Sequence, residues 1–225
     1  MRVKTGISGL DKMLNGGIPL NKTVAVCGGP GTGKTLLSFQ YLYSGALEGE
    51  SGLFITLVES ETALKDNLKA TFAWDKLDSL LADGKIKIVK PKSINITEIV
   101  DIIENQLKSG VKRVVIDSAS TLRLGFKNRL EYRQTIQEFL TLLSGLDCTS
   151  IMTYEIPYLN RNEIKFGTEQ FLADGIISLY NIERGEKRVR ALEILKMRGT
   201  DYMEGAVPFK IAPSGIEVYV GEKVY

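Results

Sequence analysis

The apolar residues of this chain fall into two periods that trade places along its length. Compact runs of β-branched and aliphatic residues, bounded by glycine, proline or polar positions, predict strands at residues 23–27, 53–58, 85–89, 113–116 and 149–154. Between them, apolar positions three and four apart predict helices at 34–47, 62–71, 96–107 and 132–143. The clearest helix is marked by Ile96, Val100, Ile103 and Leu107, which share one stripe. Such alternation is the pattern of an α/β protein with a mostly parallel central sheet flanked by helices. After Gly175 the alternation stops. Residues 176–182, 188–197, 207–211 and 215–220 read as successive strands, which predicts an antiparallel C-terminal extension. No repeat, low-complexity tract or linker interrupts the pattern, so residues 1–225 are expected to form a single domain.

Composition narrows the class only a little. With 225 residues, 44% hydrophobic and 25% charged, the chain can bury a sizeable core without disulfides or structural metal. A formal net charge of +2 does not mark a nucleic-acid binder, so any polyanion site must come from local clustering. Cys27 and Cys148 adjoin apolar runs, and there is no histidine and no CxxC pair. That combination predicts two buried, reduced thiols rather than a metal site. No stretch of about 18 apolar residues is present, and the N-terminus lacks a signal peptide's apolar run. The expectation is a soluble, cytoplasmic protein with no membrane partner.

The chemistry is concentrated just after the first predicted strand. Gly28-Gly29-Pro30-Gly31-Thr32-Gly33-Lys34-Thr35 matches the phosphate-loop pattern G-x-x-x-x-G-K-[ST] and sits between a strand and a helix. Its glycines let backbone N–H groups wrap phosphates, and the helix N-terminus adds its positive dipole end. Lys34 is expected to reach the β- and γ-phosphates, and the Thr35 hydroxyl to bind Mg²⁺. The apolar strand at 113–116 ends in Asp117. Parallel sheets bind ligands at the carboxyl ends of their strands, which places Asp117 beside the loop as a second Mg²⁺ group.

Hydrolysis also needs a base or a water-orienting group. Glu59 and Glu61 follow the strand at 53–58, at the same edge of the sheet. Glu59 comes first and is the better candidate, whereas Glu61 reads as a first-turn carboxylate favoured by a helix dipole. Lys196 and Arg198 stand two apart at the end of a long strand, so both side chains share a face. They suit either an anion or a solvated edge, where cations discourage aggregation. Spacing alone leaves both open.

Taken together, these residues resemble the KaiC-like branch of the RecA/RadA superfamily. The resemblance runs through Thr5-Gly6-Ile7-Ser8-Gly9-Leu10-Asp11-Lys12-Met13-Leu14-Asn15-Gly16-Gly17-Ile18-Pro19, the phosphate loop, Phe72-Ala73-Trp74-Asp75, Val115-Ile116-Asp117-Ser118, Asp174-Gly175-Ile176 and Leu192 to Thr200. It covers the chain from about residue 3 to the end. It implies a RecA-like nucleotide-binding core, ATP and Mg²⁺ as ligands, and a ring, commonly a hexamer, with ATP between subunits. In such rings a neighbour's strand end supplies charge to the γ-phosphate. Here that implies Lys196 and Arg198, with Met197 and Thr200 lining the same pocket. Thr71 falls where the family has a small hydroxyl residue near the nucleotide. One departure matters: the family often has paired glutamates after its second strand, the first acting as base, and here the pair reads Val58-Glu59. Glu59 is then the substitute, with slow hydrolysis expected.

Two functions fit this pattern. The first is a ring-forming ATPase whose nucleotide state controls an interface with a protein partner. The second is a recombination accessory protein of the RadA-paralogue type, holding single-stranded DNA on two loops. The first loop, residues 118–133, carries Arg123, Lys127, Arg129 and Arg133; the second, 155–169, carries Tyr158, Arg161 and Lys165. Glu131, Glu155, Glu163 and Glu169 offset those cations. With a net charge near zero, the ATPase switch is the expected reading.

Overall fold

The computed structural model describes residues 1–156, 167–184, 187–222 and 224. A small N-terminal unit comes first: β1 (Arg2–Val3), α1 (Ser8–Met13) and β2 (Ile18–Pro19), with β1 and β2 paired antiparallel. The main body follows as β3 (Thr23–Gly28), α2 (Lys34–Leu47), β4 (Ser51–Thr56), α3 (Glu61–Thr71), α4 (Leu77–Ala82), β5 (Ile86–Val89), α5 (Ile96–Lys108) and β6 (Val111–Asp117). A 3₁₀ turn at Ala119–Gly125 leads to α6 (Arg129–Gly145) and β7 (Thr149–Glu155). Then come α7 (Thr168–Leu172), β8 (Gly175–Arg184), β9 (Lys187–Met197), β10 (Val207–Ala212) and β11 (Gly215–Val218).

Nine of these strands make one sheet in the order β11-β10-β9-β8-β3-β7-β6-β4-β5. Strands β3 to β8 pair in parallel, and β9, β10 and β11 add antiparallel. This is the mostly parallel sheet with antiparallel C-terminal strands expected from the change of period, and the RecA-like core that the resemblance implies. The topology also fixes chemistry. The carboxyl ends of β3, β7, β6 and β4 lie along one edge of the sheet, so whatever follows those strands shares one rim.

Side-chain alternation divides the core in two. In β4, Phe54 points to one face while Leu53 and Ile55 point to the other. The first face is covered by α2 and α3 through Leu37, Phe39, Leu42, Leu64 and Leu68, the second by α5 and α6 through Ile99, Ile103, Ile136 and Phe139. Both cysteines are buried and free. Among the described residues no helix is long and apolar enough to cross a membrane.

Four anchors with polar contacts hold turns, helices and sheet together. Asp11 accepts from Thr5 N and Thr5 Oγ1, both at 2.7 Å, and from Gly6 N at 3.2 Å, closing the turn that starts α1. Gln40 on α2 donates to Gly6 O (3.1 Å) and accepts from Ile216 N (2.6 Å), so one side chain fastens both that turn and β11 to the helix. Trp74 stacks between Tyr43 and Phe72, with ring centroids 4.1 and 4.0 Å apart, and donates to Ser214 O at 3.0 Å. The most buried cation is Arg113, 1% exposed. Its guanidinium pairs with Glu50 at 2.5 Å, donates to the carbonyls of Lys4 and Tyr41, and lies over the Tyr41 ring. A methyl group at Gly45 on α2 would sit 2.2 Å from Arg113 Nε, so only glycine leaves room there.

The structure departs from the sequence pattern at several boundaries. The second strand of the body covers Ser51–Thr56, not 53–58, because Thr56 Oγ1 donates to Glu59 O (2.9 Å) and turns the chain. Helix α6 begins at Arg129, three residues earlier than expected, since Asn128 caps it by accepting from Glu131 N at 2.9 Å. The 3₁₀ turn occupies what read as an open loop. Helix α4 is too short for a period to stand out, although Leu77, Leu80 and Leu81 lay one apolar stripe against the core. Residues 157–166, including Tyr158, Arg161 and Lys165, lie outside the described residues.

Arg113→Ala should cost about 3 kcal/mol, from lost charged hydrogen bonds and a cavity beside Gly45. Urea unfolding checks this; a loss below about 1 kcal/mol would mean that the guanidinium is a passenger.

Candidate functional site

Strand β3 is buried along all six residues and delivers the chain into the loop at the centre of the sheet. The loop can turn because Gly31 and Gly33 adopt φ of +71° and +100°. Gly33 caps α2, and a Cβ on it would meet Ile211 Cδ1 at 3.0 Å. Thr32 is turned inward and donates to Gly29 O at 2.9 Å, while Pro30 is exposed. Lys34 lies back over the loop, its Nζ donating to the carbonyls of Gly28 and Gly29, each at 2.9 Å. Burial lowers its pKa, opposed by the carboxylates of Glu155 and Asp117.

Asp117 closes β6 beside this loop. Thr35 Oγ1 donates to its Oδ2 at 2.7 Å, and Thr153 Oγ1 on β7 donates to its Oδ1. Burial pushes the Asp117 carboxyl above the ordinary carboxylate range, and the two hydroxyls and Lys34 pull it back in part. The Asp117–Ser118 peptide is cis. A hydroxyl and a carboxylate side by side form a hard-oxygen donor pair, the kind that suits Mg²⁺ next to phosphate oxygens. Consecutive N–H groups in a left-handed turn at a helix N-terminus suit the phosphates themselves. These residues therefore fit both ligands.

A cavity of about 350 Å³ opens from the loop, and its walls include Lys34, Thr35, Glu59, Thr71, Arg190 and Ile211. Glu59 faces it from the turn before α3, with Oε2 accepting from Asn67 Nδ2 at 3.1 Å. It follows the strand by three residues rather than one, and Val58 beside it is 59% exposed. Thr71 lines the same cavity, its hydroxyl donating to Asn67 O at 2.8 Å. Glu61 opens α3 and sits 4.0 Å from Lys65, as a first-turn carboxylate should.

Lys196 and Arg198 are elsewhere. Met197 pairs with Gly175, and Gly175 pairs with Val24, four residues below Gly28 on β3. The end of β9 thus lies at the opposite edge from its own phosphate loop, about 13 Å down the strands. There Lys196 Nζ donates to the carbonyls of Phe171 (2.7 Å) and Ala173 (2.6 Å). Arg198 is 56% exposed at its side chain and lies 3.9 Å from Asp174. Burial lowers the Lys196 pKa, and Arg198 lowers it further. The Met197 side chain is 5% exposed and packs on Gly175 in the core, so only its main chain is offered outward. Thr200 Oγ1 accepts from Arg2 at 2.6 Å.

Sequence reasoning overlooked Thr153, Asn67, Arg190 and Ile211. Thr153 was hidden because threonine is ordinary in a β-branched strand, and only the neighbour across the ladder shows what it holds. Arg190 and Ile211 reach the cavity through the antiparallel strands β9 and β10, whose pairing no local motif announces.

A family model described as "ATPase: KaiC" matches residues 3–223. A UPF0273 protein of Aeropyrum pernix is 37% identical over 97% of this chain and 93% of its own length. A UPF0273 protein of Thermotoga maritima is 34% identical over 98% and 97%. The circadian clock oscillator protein KaiC 1 of Synechocystis is 35% identical over 97% of this chain, which spans 44% of that protein. The crystal structure of a KaiC-like protein from Pyrococcus horikoshii superposes with a TM-score of 0.86 at 36% identity, covering 97% of this chain and 99% of that one.

Thr153→Val keeps the shape of β7 and removes one hydrogen bond to Asp117. It should weaken Mg-ATP binding by about tenfold, the worth of one such bond. Titration calorimetry giving the parent affinity would contradict the role of Thr153.

Proposed function

This chain belongs to the KaiC family of ATPases, and from that premise we propose that it is a slow, Mg²⁺-dependent ATPase. We further propose that it works as a ring of identical subunits, six by family habit, whose nucleotide state controls contacts with a protein partner. The observation that carries the ring is the separation of charges: Lys34, Thr35, Asp117 and Glu59 on one edge of the sheet, Lys196 and Arg198 on the other. Cations at that second edge serve a γ-phosphate only if it belongs to a neighbouring subunit.

The roles follow from position. Gly28 to Gly33 and Lys34 hold the phosphates, and Thr35 with Asp117 holds the metal, which supplies charge neutralisation between the β- and γ-phosphates. Glu59, steadied by Asn67, orients water or takes its proton. Thr71, Arg190 and Ile211 line the outer part of the cavity, where an apolar side chain and a planar guanidinium suit a nucleobase and ribose. Lys196 and Arg198, with the main chain of Met197 and the hydroxyl of Thr200, face the neighbour's nucleotide. A single carboxylate beside Val58 supports slow turnover. For single-stranded DNA the support is weaker: Arg123, Lys127, Arg129 and Arg133 are exposed, yet Tyr132 among them is 4% exposed and offers no ring for base stacking.

Glu59→Gln should retain ATP binding and lower turnover by about 10²- to 10⁴-fold, the usual cost of losing a general base. Phosphate release at saturating ATP measures it; parent-like turnover would move the role to Glu155, which ends β7 beside the loop. For the ring, Arg198→Ala and Lys34→Ala should each be nearly inactive alone. An arginine finger is worth about 10³ to 10⁵ in rate. Mixed together they should regain part of the activity, because some interfaces then join an intact loop to an intact Arg198. Absence of any rescue in mixtures that do co-assemble would rule out catalysis in trans.

A further inference from the structure

A second cavity, of about 490 Å³, lies between the start of α6 and residues 167–169, and three of its walls are Arg123, Arg129 and Arg133. The remaining lining includes Leu130, Tyr132 and Glu169. Among the described residues no ion pair or hydrogen bond engages any of these three guanidinium groups. Lys22, Lys69, Lys112, Arg113 and Arg188 each have a carboxylate partner, whereas Lys4, Lys12 and Lys210, like these three arginines, have none among the described residues; what sets the three apart is that they share one cavity.

The placement works against the fold. Arg129 and Arg133 are four apart on one helix, where like charges repel. They also occupy the first two turns of α6, where the helix dipole disfavours cations. Arg123 adds a third positive charge from the preceding turn. Tyr132 forms part of the wall with its hydroxyl buried and unpartnered. Burial and the Glu169 carboxylate keep Tyr132 protonated well above the ordinary phenol range. An arrangement that costs stability and leaves donors free is accounted for by an anion that repays both.

We infer that this cavity is a second ligand site, separate from the phosphate loop, and that it binds the phosphate monoester of a small molecule. The charge decides the class. Among the described lining residues, three guanidinium groups against one carboxylate leave a net of two positive charges, which matches a phosphate monoester at about −1.5 to −2 near neutral pH better than a carboxylate. Guanidinium forks also fit phosphate oxygens two at a time. The volume decides the size, since it falls in the ordinary range for small-molecule pockets and exceeds what a bare oxyanion fills. A nucleic-acid strand fits less well, because Glu169 stands in the cavity and the Tyr132 ring is packed against Phe126 instead of being open for stacking. The site has a physical link to the nucleotide edge: the turn that carries Arg123 starts two residues after Asp117, and Ser120 in it accepts from Glu155 N at 2.8 Å.

The test uses ribose 5-phosphate as the probe, titrated calorimetrically into the full chain. The parent and Lys34→Ala should bind it alike, and the Arg129→Ala/Arg133→Ala double variant should bind about tenfold more weakly or worse, two charged contacts being lost. Without ligand, that double variant should melt at a higher temperature than the parent, because it relieves repulsion at the helix start. A lower melting temperature would show that the arginines serve the fold and would overturn the inference. So would an absence of binding to the parent at millimolar ribose 5-phosphate, or binding that Lys34→Ala abolishes and the double variant keeps. Displacement of the sugar phosphate by micromolar oligothymidylate would reassign the cavity to single-stranded nucleic acid.

Discussion

Two hydroxyls converge on one half-buried carboxylate, and the nucleotide edge of this molecule is organised around that node. Asp117 closes β6, Thr153 stands on the neighbouring β7, and Thr35 opens the helix that follows β3, the next strand over. Hydrogen bonds to Asp117 therefore tie the carboxyl ends of three adjacent strands across the sheet. Burial alone would make the carboxylate costly, and the donors offset that cost while fixing its direction. A charge held this way is pre-positioned, so little reorganisation is needed when a cation arrives.

The rest of the fold serves to keep that edge in register. Gln40 and the Trp74 stack clamp the N-terminal turn, the segment after α3 and the C-terminal hairpin to α2, the helix that the phosphate loop caps. At the far edge, Arg113 locks the start of β6 to the same helix. The nucleotide edge and the cation edge are thus rigidly related through one sheet. In the ring we propose, that rigid separation is why a neighbouring copy of the chain would have to join the two halves.

Much of this was legible in the residues. Helix α2 occurs at the expected boundaries, because the phosphate-loop motif and a Gly33 cap mark its start unambiguously. The parallel body and the antiparallel C-terminal strands followed from the change of period at Gly175. Local boundaries were harder. The β4 overshoot put Glu59 directly after a strand, whereas a Thr56 side-chain turn intervenes. Contacts made through strand pairing were not legible at all. Thr153, Arg190 and Ile211 come to the cavity or its carboxylate only when the sheet order is known, and the Met197 side chain packs against Gly175. The unpaired state of Arg123, Arg129 and Arg133 among the described residues is likewise a fact of three dimensions, since Glu131 is close in sequence yet does not pair with them.

In the ring we propose, the nucleotide site is complete only between two copies of the chain. A structure determined with Mg²⁺ and a non-hydrolysable ATP analogue tests it most directly. The expected result is the β- and γ-phosphates in the loop, the metal against Thr35 and Asp117, and Lys196 and Arg198 of the adjacent copy within hydrogen-bonding reach of the γ-phosphate. A nucleotide enclosed by one copy alone, with Lys196 still on the carbonyls of Phe171 and Ala173 and no neighbour near the γ-phosphate, would contradict it.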